Sequence, residues 1–240
     1  MTASRSKTPA PRPAPRARSV DQFLADARAT PVVKRGDAPG RLIFAIDATA
    51  SRQPTWDLAC ELHAELFAEV QRVGNLAVQL VYFRGLSDFS ASPWLVRAEE
   101  LRERMLGVSC RGGRTQLVRL LGHAQHEAAL LPVRALIYIG DAFEESETSL
   151  LSAAGQLALR NLPALMFQEG RDAIAERAFA AVATITGGAH VRFDPSSPDA
   201  LRRLLGAAAT FATGGRAALE RFAHRTGDAG ARRLLTQIRR

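Results

Sequence analysis

The sequence predicts an α/β protein with a doubly wound, mostly parallel central sheet. About six strands are expected, one of them a short antiparallel edge strand, with helices on both faces. Three observations carry this expectation. Short apolar runs alternate with segments of helical period, which is the pattern of βαβ units. The runs are apolar at nearly every position, as in parallel strands covered on both sides. Two of them stop abruptly at an aspartate, Asp47 and Asp141.

The elements follow in chain order. Residues 1–18 set Pro9, Pro11, Pro13 and Pro15 among Ala and Arg, a composition that buries nothing and predicts a disordered or polyproline-like basic tail. Residues 19–40 read as a short helix over 19–30, capped by Ser19, and then a linker. The α/β domain is expected over 41–213. Its strands fall at 41–47, 75–84, 88–96, 134–140, 163–168 and 189–193, and Pro93 places the third at an edge. Its helices fall at 55–73, 97–107, 115–130, 148–160, 171–186 and 198–211. In the first helix Ala59, Leu62, Leu66, Val70 and Val73 share one side, while Asp57, Glu61, Glu65 and Glu69 form an i, i+4 row on the other, a solvated face. Two short basic helices, over 215–225 and 229–239, make residues 214–240 a C-terminal extension.

Composition excludes several classes. The chain has 240 residues, of which 47% are apolar, enough for one ordinary domain. Cys60 and Cys110 form no CxxC or zinc-type spacing. The N-terminus lacks the apolar core of a secretory signal, and no run approaches the roughly 18 apolar residues of a membrane span, so a cytoplasmic protein is expected. The net charge of +8 is uneven: +5 over 1–40, −4 over 41–200 and +7 over 201–240. The basic ends, with Arg12, Arg16, Arg18, Arg232, Arg233, Arg239 and Arg240, are able to contact phosphates. No aromatics interleave with them, so specific nucleic-acid readout is not expected.

In open parallel sheets, sites form beyond the carboxyl ends of the strands, where strand order reverses. Asp47 and Asp141 belong there. With Thr49 and Ser51 on the loop after the first strand, and Thr115 after Gly112-Gly113-Arg114, the candidate set donates only oxygen. Hard oxygen donors suit Mg2+ or Mn2+ rather than zinc. Two carboxylates and three hydroxyls leave room for a ligand from outside. Arg114, Glu144 and Glu145 border this set and are candidates for partner contact, although acids at 144–147 also suit a helix N-terminus. His123, His126 and Glu127 resemble a ligand cluster on what reads as an exposed helix face, with no third ligand of matching geometry.

Three segments together, Asp47-Ala48-Thr49-Ala50-Ser51, Gly112-Gly113-Arg114-Thr115 and Gly140-Asp141-Ala142, resemble the metal-ion-dependent adhesion site (MIDAS) of von Willebrand factor type A (VWA) domains. The resemblance spans about residues 41–213 and is to members of the bacterial intracellular type. Thr49 stands for the usual Ser, Ala50 for a common Gly and Ala142 for the Gly after the last Asp; no donor oxygen is lost. The resemblance implies a Rossmann-like VWA fold. It implies that Thr49 and Ser51 coordinate Mg2+ (or Mn2+) directly, that Thr115 does so when a ligand is engaged, and that Asp47 and Asp141 act directly or through water. An Asp or Glu of a protein partner would complete the shell. Intracellular members often work beside an AAA+ ATPase or another chaperone-type machine.

The function expected is a metal-dependent protein–protein interaction module, not an enzyme. The main alternative is a Mg2+-dependent hydrolase or phosphatase on a Rossmann-like fold. A haloacid-dehalogenase-type phosphatase needs a second Asp where this chain has Thr49, and a downstream lysine, while both lysines here, Lys7 and Lys34, precede the first strand. GxxxxGK[ST] and GxGxxG are absent. The remaining alternative is a nucleic-acid-associated protein acting through its arginine-rich ends.

Overall fold

A computed structural model describes residues 40–52, 76–194 and 197–239. The expected tail, the 19–30 helix, the linker and the 55–73 helix lie outside the described residues. The first strand, β1, is Gly40–Asp47, followed by a single 3-10 turn at Ala50–Arg52. Then come β2 (Leu76–Arg84), β3 (Asp88–Ala91), α1 (Ala98–Leu106), α2 (Leu117–Leu130) and β4 (Ala135–Gly140). After these follow α3 (Glu147–Leu159), β5 (Ala164–Glu169), α4 (Ala173–Thr186), β6 (Ala189–Phe193), α5 (Pro198–Thr226) and α6 (Ala229–Leu235).

The six strands form one sheet in the order β3-β2-β1-β4-β5-β6, and only β3 is antiparallel. The chain winds outward from β1 to β2 and β3, then restarts on the other side of β1 with β4. Strand order therefore reverses between β1 and β4. Leu42 to Ala48 have no solvent exposure at all, which is what the unbroken apolar run requires of a strand covered on both faces. Alternation along the strands sorts the core into two layers. Leu42, Phe44 and Ile46 pack with α1, α5 and α6. Ile43 and Ala45 pack with α2, α3 and α4. Asp172 and Asp228 begin α4 and α6 by accepting from the backbone N–H groups of Ala175 (2.6 Å) and Ala231 (2.7 Å). Among the described residues no helix is long and apolar enough to cross a membrane.

One expectation needs correction. The edge strand does not run continuously over 88–96. It ends at Ala91, and Pro93, which has no N–H to give, sits in a gap. Pairing resumes at Leu95, which exchanges two 2.7 Å hydrogen bonds with Val78. The two basic helices expected over 215–225 and 229–239 are present, as the segment of α5 that follows a non-helical break at Gly215 (φ 66°) and as α6. Leu219, Ala231, Leu234 and Ile238 then enter the same core layer as the sheet. The Gln237 side chain accepts from His190 N–H and donates to His190 C=O, both at 2.9 Å, serving the open edge of β6. The Arg216 guanidinium donates to the carbonyls of Leu235 (3.1 Å) and Ile238 (2.6 Å) at the end of α6. The basic charge of this segment conceals a short apolar period that is buried.

Truncating Leu219 or Leu234 to Ala should therefore destabilise the protein by about 2–5 kcal/mol, the range for emptying a core leucine site, as read by urea unfolding. A chain ended after residue 213 should lose its cooperative transition.

Candidate metal centre

The crevice lies where β1 and β4 part. The two strands are in register from Leu42↔Ala135 to Ile46↔Ile139, so Asp47 comes level with Gly140 and Asp141 follows one residue on. Asp47 has no exposure. Its Oδ1 accepts from Thr49 N–H at 2.8 Å, which folds the loop back over the strand end. The loop is held from both sides: Ala48 N–H donates to Phe83 C=O (3.0 Å) and Arg111 N–H donates to Ala48 C=O (3.0 Å). The turn at Ala50–Arg52 brings the Thr49 and Ser51 hydroxyls within 3.1 Å of each other. Thr49 is buried and Ser51 exposed, so the pair opens outward.

The other carboxylate oxygens are the unusual feature. Asp47 Oδ2 and Asp141 Oδ1 are both buried and have no hydrogen-bond partner among the described residues. Buried polar atoms are almost always paired with protein, water or an ion. Burial raises the Asp47 carboxyl to about 6; the hydrogen bonds from Thr49 work against this, the Asp141 charge adds to it and Arg52 opposes it. The fit to a small divalent cation is good: two orphaned carboxylate oxygens at adjacent strand ends, with two converging hydroxyls beside them.

Thr115 is tied to the loop that carries Asp141. Its Oγ1 accepts from Glu144 N–H at 3.1 Å, and its nearby hydroxyl acts to lower the Glu145 carboxyl. Glu145 is half-buried and receives the N–H groups of Leu117 and Val118 at the start of α2, the second at 3.1 Å. Burial raises its carboxyl despite these bonds. Glu145 thus caps α2, not the helix that follows it in sequence. Glu144 and Arg114 present exposed side chains. Gly113 is pressed on the β2–β3 turn, where a Cβ would stand 2.0 Å from Gly85 C=O. Gly113 therefore lets this loop pack on its neighbour, whereas a Cβ at Gly112 would meet nothing.

Two residues of the centre had escaped the sequence reading. Arg52, next after the loop hydroxyls, is 1% exposed. It donates to Ile139 C=O at 3.2 Å and pairs with Glu169 at 2.8 Å. Glu169 ends β5 as Asp47 ends β1, and this strand-end acid was the available signal. Arg52 therefore bridges from the β1 loop across β4 to β5. On α2 His126 is exposed, but His123 and Glu127 are half-buried. Glu127 receives Arg41 (2.7 Å) and Trp94 (3.0 Å), Arg41 lies 3.7 Å from the Trp94 ring, and His123 bonds Gln79 (2.8 Å). This network clamps α2 to the opposite end of the sheet. Among the described residues no three His, Cys, Asp or Glu side chains are grouped to hold a metal; the candidate centre has two carboxylates, and hydroxyls supply the rest.

The Asp47 carboxyl sets a pH dependence. Its folded value of about 6 exceeds the unfolded 3.8. Its stabilising contribution is complete below the unfolded value and is lost as pH rises through 6. Above that, the ionised group costs on the order of 3 kcal/mol without an ion. Urea unfolding in EDTA should show Asp47→Asn removing this fall between about pH 4 and pH 7. Arg52→Met should destabilise by about 3–5 kcal/mol, because Glu169 is left charged in a buried position; the same unfolding measurement reads it.

No protein-family model matches the sequence, and no curated protein matches it. Solved structures do. The fold is similar to that of a von Willebrand factor type A protein from Catenulispora acidiphila, with 16% identity, 72% of this chain and 43% of that one covered, and a TM-score of 0.60. It is similar to proximal thread matrix protein 1 from the mussel byssus, solved with a zinc-occupied MIDAS motif: 15% identity, 72% and 48% covered, TM-score 0.59. It is also similar to the SpRpn10 VWA domain, with 13% identity, 68% and 95% covered, and a TM-score of 0.54. This chain spans less than half the length of the first two. The likeness is one of architecture, and it agrees with the strand order, the single antiparallel edge and the strand-end crevice: this chain has the von Willebrand factor type A fold.

Proposed function

We propose that this protein is a metal-dependent protein-binding module, with a divalent cation held by Asp47, Thr49, Ser51 and Asp141, and by Thr115 when a partner is engaged. The observation that carries this reading is the pair of buried oxygens, Asp47 Oδ2 and Asp141 Oδ1, that have no hydrogen-bond partner among the described residues. When bound, the cation supplies a positive centre with a coordination position open to a carboxylate. The chain does the rest. Asp47 and Asp141 supply charge, the Thr49 and Ser51 hydroxyls supply neutral oxygen, and the Arg52–Glu169 pair holds the loop. Mg2+ or Mn2+ suits this donor set. The zinc-occupied MIDAS motif of the mussel protein supports a divalent ion and adds Zn2+ to the test. The partner offers an Asp or Glu, and an AAA+ ATPase or chaperone-type machine is the class proposed. The module acts by binding and needs no catalytic base.

Calorimetric titration should show Mg2+ or Mn2+ binding to the wild type. Asp47→Ala and Asp141→Ala should each weaken it at least roughly tenfold, the scale on which metal sites respond to disturbed ligation. Capture of a partner from the source cell should vanish in EDTA. A folded sample that binds none of the three ions sinks the reading. Turnover of a generic phosphate ester that depends on Asp47 would replace it with the hydrolase alternative.

A second reading has one observation behind it. Arg233 of α6 joins Arg171 and Arg192 around a cavity of about 480 Å3 beyond the ends of β5 and β6, with Asp194 as the carboxylate in its lining. Guanidiniums from the β5–α4 loop, β6 and α6, of which Arg192 is also paired with Glu176 at 3.0 Å, favour contact with an anion, including nucleic-acid phosphates. Retention on DNA or RNA that falls steeply with salt, and is lost in Arg171→Ala/Arg233→Ala, would support it.

A further inference from the structure

Below the two aspartates lies a third buried polar atom without a hydrogen-bond partner among the described residues, the Tyr138 hydroxyl. Its position follows from the sheet. Tyr138 pairs with Ala45 across β1 and β4, and both face the α2–α3–α4 layer. Side chains alternate along a strand, so Asp47, two residues past Ala45, points to the same side as Tyr138. So does position 140, which is glycine. A Cβ at Gly140 would stand 2.3 Å from the Tyr138 hydroxyl oxygen. The phenol therefore reaches the strand end through the space that the missing side chain leaves, beside Asp47 and directly before Asp141. The ring is held there by Phe83, stacked at 6.1 Å between centroids, and by Phe179, edge-on at 5.3 Å. Tyr138 has no solvent exposure, so bulk water does not pair its hydroxyl.

A phenylalanine would fill the same volume and leave nothing unpaired. The chain instead keeps a hydrogen-bond donor under two carboxylate oxygens that lack partners among the described residues. The complementarity is chemical: the carboxylates are acceptors that call for a cation, and the phenol O–H is a donor that calls for an oxygen. A cation carrying a water satisfies all three at once. We propose that Tyr138 is a positioning residue of the ion site, its hydroxyl donating a hydrogen bond from below to an oxygen of the ion's shell. Gly140 is the residue that makes this possible. The proposal rests on the ion-binding reading above, and adds a residue that lies on no motif loop.

The test compares wild type with Tyr138→Phe, with and without Mg2+. In EDTA the variant should melt at or above the wild-type temperature, since only an unpaired buried hydroxyl is lost. With Mg2+, calorimetry should show affinity reduced about 5–10-fold, and the ion should raise the melting temperature less than in wild type. Mg2+ should also perturb the near-UV circular dichroism of the wild type. The chain has two tyrosines, so Tyr82→Phe should keep the perturbation and Tyr138→Phe should lose it. Wild-type Mg2+ affinity in Tyr138→Phe overturns this inference and leaves the ion-binding reading standing. So does an equal loss of stability with and without the ion, the mark of a packing residue. A folded wild type that binds no divalent ion removes both.

Discussion

A carboxylate sits at the end of a strand that has no solvent on either face. Asp47 is as buried as the Leu42–Ile46 run before it, and the surroundings of the site answer to that charge. One oxygen is satisfied by Thr49 N–H, which bends the following loop back and sets its two hydroxyls side by side. The other faces a second carboxylate, Asp141, whose charge raises it further. Arg52 offsets part of this, but it is itself engaged by Glu169 and the Ile139 carbonyl. The local balance leaves negative charge in a place from which water is excluded, and a small cation is the chemical complement of that arrangement.

The fold creates the place. Because strand order reverses between β1 and β4, the loops after these two strands diverge and leave a gap above the sheet. Thr115 and Glu145 connect this gap to α2. The Glu145 carboxylate takes the first N–H groups of that helix, and Thr115 holds the Glu144 backbone. The start of α2 and the loop carrying Asp141 are thereby one hydrogen-bonded unit. Anything that draws Thr115 toward the crevice must disturb the loop that caps α2.

Much of the architecture could be read from the chain itself. Uninterrupted apolar runs specify buried strands, and their separation by helical segments specifies parallel crossovers; apart from the edge strand, which stops at Ala91, the described strands of the sheet lie where these patterns put them. The aspartates at 47 and 141 stood out because a charge at the end of an apolar run has little structural reason to be there. Other features were not legible, each for a physical cause. Arg52 follows a polar loop and reads as solvated until the ends of β4 and β5 are known to close over it. Tyr138 lies inside an apolar strand and reads as core, because local sequence does not show whether its hydroxyl finds a partner. The leucines and alanines after Gly215 are interleaved with seven arginines, and charge masked their burial.

The sequence by itself determined the fold class, the two strand-end carboxylates and the all-oxygen character of the candidate donors, because period and residue chemistry are local properties. Tertiary structure alone decided which polar atoms are left without partners. Pairing depends on neighbours distant in the chain: Glu145 is spent on α2, Thr115 on the loop after β4, and Arg52 on Glu169, while Asp47 Oδ2, Asp141 Oδ1 and the Tyr138 hydroxyl have no hydrogen-bond partner among the described residues. That remainder marks the site, and it exists only once the sheet has brought β1 and β4 together.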